Sequence, residues 1–191
     1  MENKKKTIIL RVGLAVVMGI FMVALFTPAL HAAGLSDVEK EHLLLMREEE
    51  KLARDVYQAL NAKWNNQKFS NISKSEQQHM DSLKVLLDKY GLADPTAGKK
   101  PGEFTNKKLQ GLYTELVQKG SRSLSDALAV GVEIEKLDIA DLEEALSKTT
   151  NSDLTFVYKN LLRGSKNHLE AFSSQSGGNG RGAARGRANN R

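Results

Sequence analysis

Glu76 and His79 stand three residues apart in the stretch SEQQHM, and Glu135 and Asp138 repeat that spacing in VEIEKLDIAD. On a helix, such a pair shares one face a single turn apart. Glu76-x-x-His79 is the local unit from which carboxylate-bridged dimetal sites inside helical bundles are assembled. Glu50 and His168 each offer one further donor. The candidate ligand set is therefore Glu50, Glu76, His79, Glu135, Asp138 and His168. Its many carboxylate oxygens and two imidazoles suit iron or manganese. The chain has 0 cysteines, which excludes thiolate zinc sites, iron–sulfur clusters, disulfide frameworks and cysteine nucleophiles. These six ligands, shared between two ions, leave positions for water, oxygen or peroxide.

Each of these residues also has a plainer reading. Ser73 with Glu76 forms a capping-box pattern, so Glu76 can close the start of a helix. Glu48, Glu49 and Glu50 form a charge run, and such a run commonly faces solvent with i,i+4 partners such as Arg54. Glu135 and Asp138 can face water beside Lys136, and a single histidine is ordinarily a partly buried one. What separates the readings is whether the elements carrying these residues bring them to one depth.

Those elements are helical throughout residues 35–172. Ser36 and Glu39 give a capping box for a helix running to about Ala62, and Asn65 and Asn66 break the pattern. A second helix carries FSNISKSEQQHMDSLKVLLDKY and stops at Gly91. The Pro/Gly-rich connection LADPTAGKKPGEF follows. A short helix spans Lys107 to Gln118 and closes at Gly120. Two more helices cover about Leu124 to Ser147 and about Leu154 to Phe172. Four long helices with the longest connection after the second predict an all-α chain, a four-helix bundle with a crossover between its halves.

Each long helix has a stripe at alternating three- and four-residue steps. The stripes are Leu43, Met46, Glu50, Ala53, Tyr57, Leu60; Ile72, Glu76, His79, Leu83, Leu86, Tyr90; Leu124, Leu128, Gly131, Glu135, Asp138, Leu142, Ala145; and Leu154, Tyr158, Leu161, Ser165, His168, Phe172. All four are apolar except near the middle. A carboxylate inside a bundle is costly unless paired or ligating, and four interruptions at one depth can offset that cost by surrounding one site. Tyr57, two turns from Glu50, is placed either to pack the core or to give that site a hydrogen bond or an electron. Arg54 and Asp81 are candidates to support the histidines from behind or to serve as surface residues.

At these residues the chain resembles a known family. EEEKLARDVY, with Glu50, Ala53, Arg54 and Tyr57, is similar to the first metal-binding helix of rubrerythrins and other ferritin-like proteins. F-x-N-I-x-x-SEQQHM is similar to their second. With YGLADP, VGVEIEKLDIADL and GSKNHLEAF, residues 35–172 resemble the ferritin-like family known as domain of unknown function 2202. The resemblance implies a ferritin-like four-helix bundle whose crossover carries the short extra helix, with a non-haem di-iron or related dimetal centre. It implies Glu50 and Glu135 as terminal ligands, Glu76 as a bridge, His79 on the first ion and His168 on the second. The usual Glu-x-x-His of the last helix reads Ser165-x-x-His168 here. Asp138 then supplies the missing charge, or the site is asymmetric, mononuclear or vestigial. Without cysteines there is no rubredoxin-like module, so any enzyme of this kind needs an external electron donor.

The chain's ends account for its charge. Residues 1–33 have a basic start at Lys4, Lys5 and Lys6, an apolar run from Val12 to Phe26 and small residues at Ala32 and Ala33. That is the layout of a secretory signal, or of an N-terminal membrane anchor if it is not cleaved. Residues 173–191 are polar, rich in Gly and Asn, and carry Arg181, Arg185, Arg187 and Arg191 without an acid, a composition that reads as disordered. The net charge is +5, from 28 basic and 23 acidic residues. Four basic and one acidic residue fall in 1–33 and four arginines in 173–191, which leaves 20 and 22, a net −2 for residues 34–172. The positive balance is an address and a tail, not a nucleic-acid-binding surface.

Two functions follow. One is an exported metalloprotein, periplasmic or extracellular, that oxidises ferrous iron or reduces oxygen or peroxide, and that can pair as a homodimer. The other is a metal-free helical module whose Arg-rich tail contacts an anionic polymer or membrane surface.

Overall fold

The computed structural model describes residues 34–176, with side chains to Ser174; the expected signal, and the Arg-rich end beyond Ser176, lie outside them. Five helices make up this part: α1 (Asp37–Trp64), α2 (Gln67–Lys89), α3 (Lys107–Gly120), α4 (Leu124–Lys148) and α5 (Ser152–Ser176). No strand occurs among the described residues. None of these helices is long and apolar enough to cross a membrane.

The boundaries have local chemical causes. Ser36 and Glu39 form the expected capping box, Ser36 N donating to Glu39 Oε2 at 2.9 Å and Glu39 N to Ser36 Oγ at 3.3 Å. Two asparagines make the next boundary. Asn65 closes α1 in the left-handed conformation (φ 45°), and Asn66 caps α2 by accepting from Lys68 N. Helix α2 thus begins well before Ser73, which is buried in its interior and donates to Ser70 O. The capping reading of Glu76 is therefore corrected. At the other end α5 continues four residues past Phe172 to Ser176. Ser173, Ser174 and Gln175 are tolerated in a helix and carry it past the expected end.

The helices pair as two hairpins, α1 with α2 and α4 with α5, which pack together through α1 against α4 and α2 against α5. Trp64 Nε1 donates to Gly120 O at 2.9 Å, so α4 starts beside the end of α1. Thr149 Oγ1 donates to Glu39, so α4 ends beside the start of α1. Tyr90 meets Asn151 and Asp153 where α2 ends and α5 begins. Residues 90–106 and α3 must therefore carry the chain from one end of the bundle back to the other, and α3 does so against α1 and α4.

The predicted stripes point inward, except that Leu124 is exposed and Tyr90 half-buried at helix ends. Two apolar clusters result. One holds Val56, Leu60, Phe69, Ile134 and Phe172, and the other Leu43, Leu83, Leu142, Leu154 and Leu161. Gly131 is small for a reason: a Cβ there would come within 2.6 Å of the Phe172 ring. Between the clusters lies a polar layer.

Candidate metal centre

That layer takes Glu50 and Tyr57 from α1, Glu76 and His79 from α2, Glu135 and Asp138 from α4, and Ser165 and His168 from α5. The acids, Tyr57 and Ser165 are buried, and each imidazole keeps only 12% of its side chain exposed. Glu76 sits at the middle and its two oxygens face different ways. Oε2 lies 2.8 Å from His79 Nδ1, which also approaches Glu50 Oε2 at 3.1 Å. Oε1 lies 2.9 Å from His168 Nδ1, which is 3.7 Å from Glu135 Oε2. Two triads follow, Glu50–Glu76–His79 and Glu76–Glu135–His168, and within each the donor atoms lie within 4.8 Å of one another.

The two rings stack at 5.6 Å between centroids. Close packing by α5 permits this, because a Cβ on Gly164 would fall 2.6 Å from His79 Nε2. His168 turns its Nε2 to Ser75 Oγ at 3.0 Å, which orients the ring and leaves Nδ1 for the centre. Tyr57 donates its hydroxyl to Glu135 Oε1 at 2.7 Å while its ring packs on Phe172 at 5.2 Å, so it has both roles open to it. Arg54 pairs with the buried Asp55 and with Gln77, and Asp81 accepts from Gln77 at the surface; in these contacts neither reaches the histidines.

Four atoms of this layer are buried with no aligned hydrogen-bond partner: Glu50 Oε1, Glu76 Oε1, Asp138 Oδ1 and His168 Nδ1. Glu76 Oε1 and His168 Nδ1 face each other as an ion pair at 2.9 Å, which leaves Glu50 Oε1 and Asp138 Oδ1 with nothing. Buried polar groups left like this are uncommon and costly. Oxygen and nitrogen donors converging from four helices suit a bound cation.

The electrostatics agree. Burial pushes Glu50 well above the carboxylate range, and the Asp138 charge adds to it. Burial likewise raises Glu135 to about 8, and raises Asp138 to about 7 against the Ser165 hydrogen bond. Glu76 behaves oppositely: burial pushes it up, but both imidazoles outweigh burial and hold it down to about 2. Burial disfavours the charged imidazoles too, yet Glu50 and Glu76 hold His79 up to about 11, and Glu135 and Glu76 hold His168 up to about 9. Without a metal, the layer retains protons to balance its acids.

Asp138 belongs to neither triad. Its Oδ2 accepts from the Ser165 hydroxyl, so Ser165 fills the place of a carboxylate by holding one from α4. The charge-run reading of Glu48–Glu50 is corrected. Glu48 is buried and accepts from Thr105 N at 2.6 Å and Asn106 N at 3.1 Å. Glu49 is half-buried, its Oε2 is covered without a partner, and burial with the Asp141 and Asp138 charges raises it to about 9. A signal existed: Arg47 to Asp55 is charged around the whole of a helix that neighbours must cover.

An all-helical bundle with a buried Glu/His cluster able to hold metal is the class of protein that this fold and site define. The chain belongs to the family described as an uncharacterized protein domain (DUF2202), whose family model matches residues 39–184. It is similar to the uncharacterized protein MJ0754 of Methanocaldococcus jannaschii, 56% identical over 138 residues, which are 72% of this chain and 75% of that protein. It is also similar to the crystal structure of the hypothetical protein MJ0754 from Methanococcus jannaschii DSM 2661. The TM-score is 0.74 at 54% identity, covering 75% of this chain and 82% of that one.

Proposed function

We propose that this protein is a ferritin-like metalloprotein that holds two iron or manganese ions and carries out oxidoreductive chemistry. The observation that carries the reading is Glu76, whose two oxygens face two imidazoles, each with a second carboxylate beside it. Glu50, Glu76 and His79 would hold one ion, and Glu76, Glu135 and His168 the other, with Asp138 adding charge. Bound iron or manganese supplies electrons for the reduction of oxygen or peroxide, or is itself oxidised as the substrate. The chain's own residues exclude bulk water, fix the imidazoles and hold the Tyr57 hydroxyl, with its proton, directed at Glu135 Oε1. With 0 cysteines, returning electrons come from an external donor.

Residues 1–33 direct export in this reading, to the periplasm or beyond, and the Arg-rich end contacts an anionic surface. A metal-free module is the weaker reading, because it leaves Glu50 Oε1 and Asp138 Oδ1 buried and unpaired in one layer. Metal analysis of tag-free protein after iron or manganese loading tests the choice. The expected result is about two equivalents, given two triads sharing one carboxylate, and their loss in Glu76→Ala and His79→Ala. Less than about half an equivalent in the unaltered protein sinks the metal reading, since even one intact triad should fill.

A further inference from the structure

Beside the centre, between α1, α3 and α4, lies a pocket of about 120 Å³. Its walls are four leucines and an isoleucine, and its only polar lining is Glu49, Asp138 and Asp141. Glu49 Oε2 and Asp138 Oδ1 are buried there without a hydrogen-bond partner. Asp138 is only 9% exposed, and its other oxygen is fixed by Ser165 on α5. It thus stands at the boundary of pocket and centre, and Glu49 is the chain neighbour of the ligand candidate Glu50. The three acids do not close into a ligand set as the two triads do. All three line the one pocket, and Asp138 is common to the pocket and the polar layer of the centre.

Low-dielectric walls around charges of one sign concentrate field lines and raise the encounter rate with counter-ions by about 10- to 1,000-fold. We propose that this pocket is the entrance by which divalent cations reach the Glu/His centre, with Glu49 and Asp141 drawing the ion in and Asp138 handing it on. The inference rests on the metal reading of the centre. The competing approach is the α2–α5 side, where the two imidazoles show 12% of their surface.

The test is the rate at which the full chain, stripped of metal, takes up cobalt(II), followed in a stopped-flow instrument by the visible absorbance of the bound ion. The variants are Glu49→Gln with Asp141→Asn, which removes the acid pair of the pocket and the negative charge that it carries, and Leu137→Trp, which narrows the mouth at a residue 45% exposed. The double variant should load at least about tenfold more slowly and with a flatter dependence on salt, as loss of steering requires. Leu137→Trp should also slow loading but keep the salt dependence. Final absorbance and stoichiometry should match those of the unaltered protein. Loading at the original rate with the original stoichiometry overturns the entrance and leaves the centre standing. A lower final stoichiometry overturns it too, by making Glu49 or Asp141 a ligand. If the unaltered protein takes up no cobalt, the metal reading fails and the entrance fails with it.

Discussion

Helix α1 buries charge on two sides, and the two sides are satisfied differently. On one, Arg47, Glu48, Lys51 and Asp55 tie down the connection that follows α2. Arg47 binds Asp94 through two nitrogens, at 3.2 and 2.8 Å. Lys51 donates to Asp55 and to Lys100 O and lies over the Phe104 ring at 4.5 Å. Asp55 also accepts from Arg54 and from Gly102 N at 2.9 Å. Only Arg47 Nη1 lacks a partner in this group. On the other side Glu50 joins a layer in which Glu50 Oε1 and Asp138 Oδ1 lack one. Equal burial therefore carries different meanings. A buried charge with a full set of protein partners holds a segment in place, whereas a convergent set with unused donors holds room for something else.

The contrast is tested most severely by removing one acid from each side. Asp55→Ala takes the acceptor from Lys51, Arg54 and a backbone amide, and leaves a buried ammonium short of its partner. Such deletions cost about 3–5 kcal/mol, read as a lower urea midpoint. Asp55→Asn keeps an acceptor and should lose less, which covers the case in which the alanine variant does not fold. Asp138→Asn should change the stability of metal-free protein by less than about 1 kcal/mol, because it keeps an acceptor for Ser165 and removes repulsion among the acids. Equal losses from Asp55→Asn and Asp138→Asn would erase the distinction between the two sides.

The second test is pH, on metal-free protein. Glu49, Glu135 and Asp138 sit at about 9, 8 and 7 in the folded chain, above ordinary values of 4.5 and 3.8. His79 and His168 sit at about 11 and 9, above 6.5. The folded chain thus holds more protons than the unfolded one between about pH 5 and pH 9, and it loses stability as pH rises through that window. The slope is about 1.4 kcal/mol per pH unit for each excess proton. Glu76, held at about 2, works the other way and matters only below its ordinary 4.5. In chelator, the urea midpoint should fall from about pH 5.5 to about pH 8.5, and added iron(II) or manganese(II) should restore it, since a metal replaces those protons. A midpoint that rises with pH contradicts this proton balance.

Much of this was legible in the sequence, for periodic reasons. Helix period and capping residues placed all five helices, and the alternating three- and four-residue step put Glu50, Glu76, His79, Glu135 and His168 at one depth. What escaped depends on partners distant in the chain. Glu48 looks solvated until residues 105 and 106 arrive to be capped by it. Asp138 was legible as a replacement for the carboxylate missing at Ser165, but not the hydrogen bond from the Ser165 hydroxyl that holds it. Ser75 behind His168 has no spacing signal at all, because its partner is 93 residues away on α5. Local pattern fixes which face a side chain occupies, and only packing decides what meets it there.

Tyr57 gives the smallest and most discriminating test, because it belongs to both the packed core and the unpaired layer. Its ring lies against Phe69 and Phe172, at 6.1 and 5.2 Å between centroids, and its hydroxyl donates to Glu135. Tyr57→Phe keeps the ring and deletes the hydrogen bond, at a cost of about 1 kcal/mol in stability. If the hydroxyl only satisfies itself, metal affinity should not move. If it aims Glu135 at the ion beside His168, that ion should bind about 10-fold more weakly, as when a metal ligand loses an outer hydrogen bond. The ion held by Glu50 and His79 should be unaffected, because neither of those residues touches Tyr57 in the hydrogen-bond network. Calorimetric titration should then resolve two unequal sites in place of two similar ones. A uniform weakening of both ions would assign Tyr57 to the core alone, acting by loosening the bundle rather than by orienting one carboxylate.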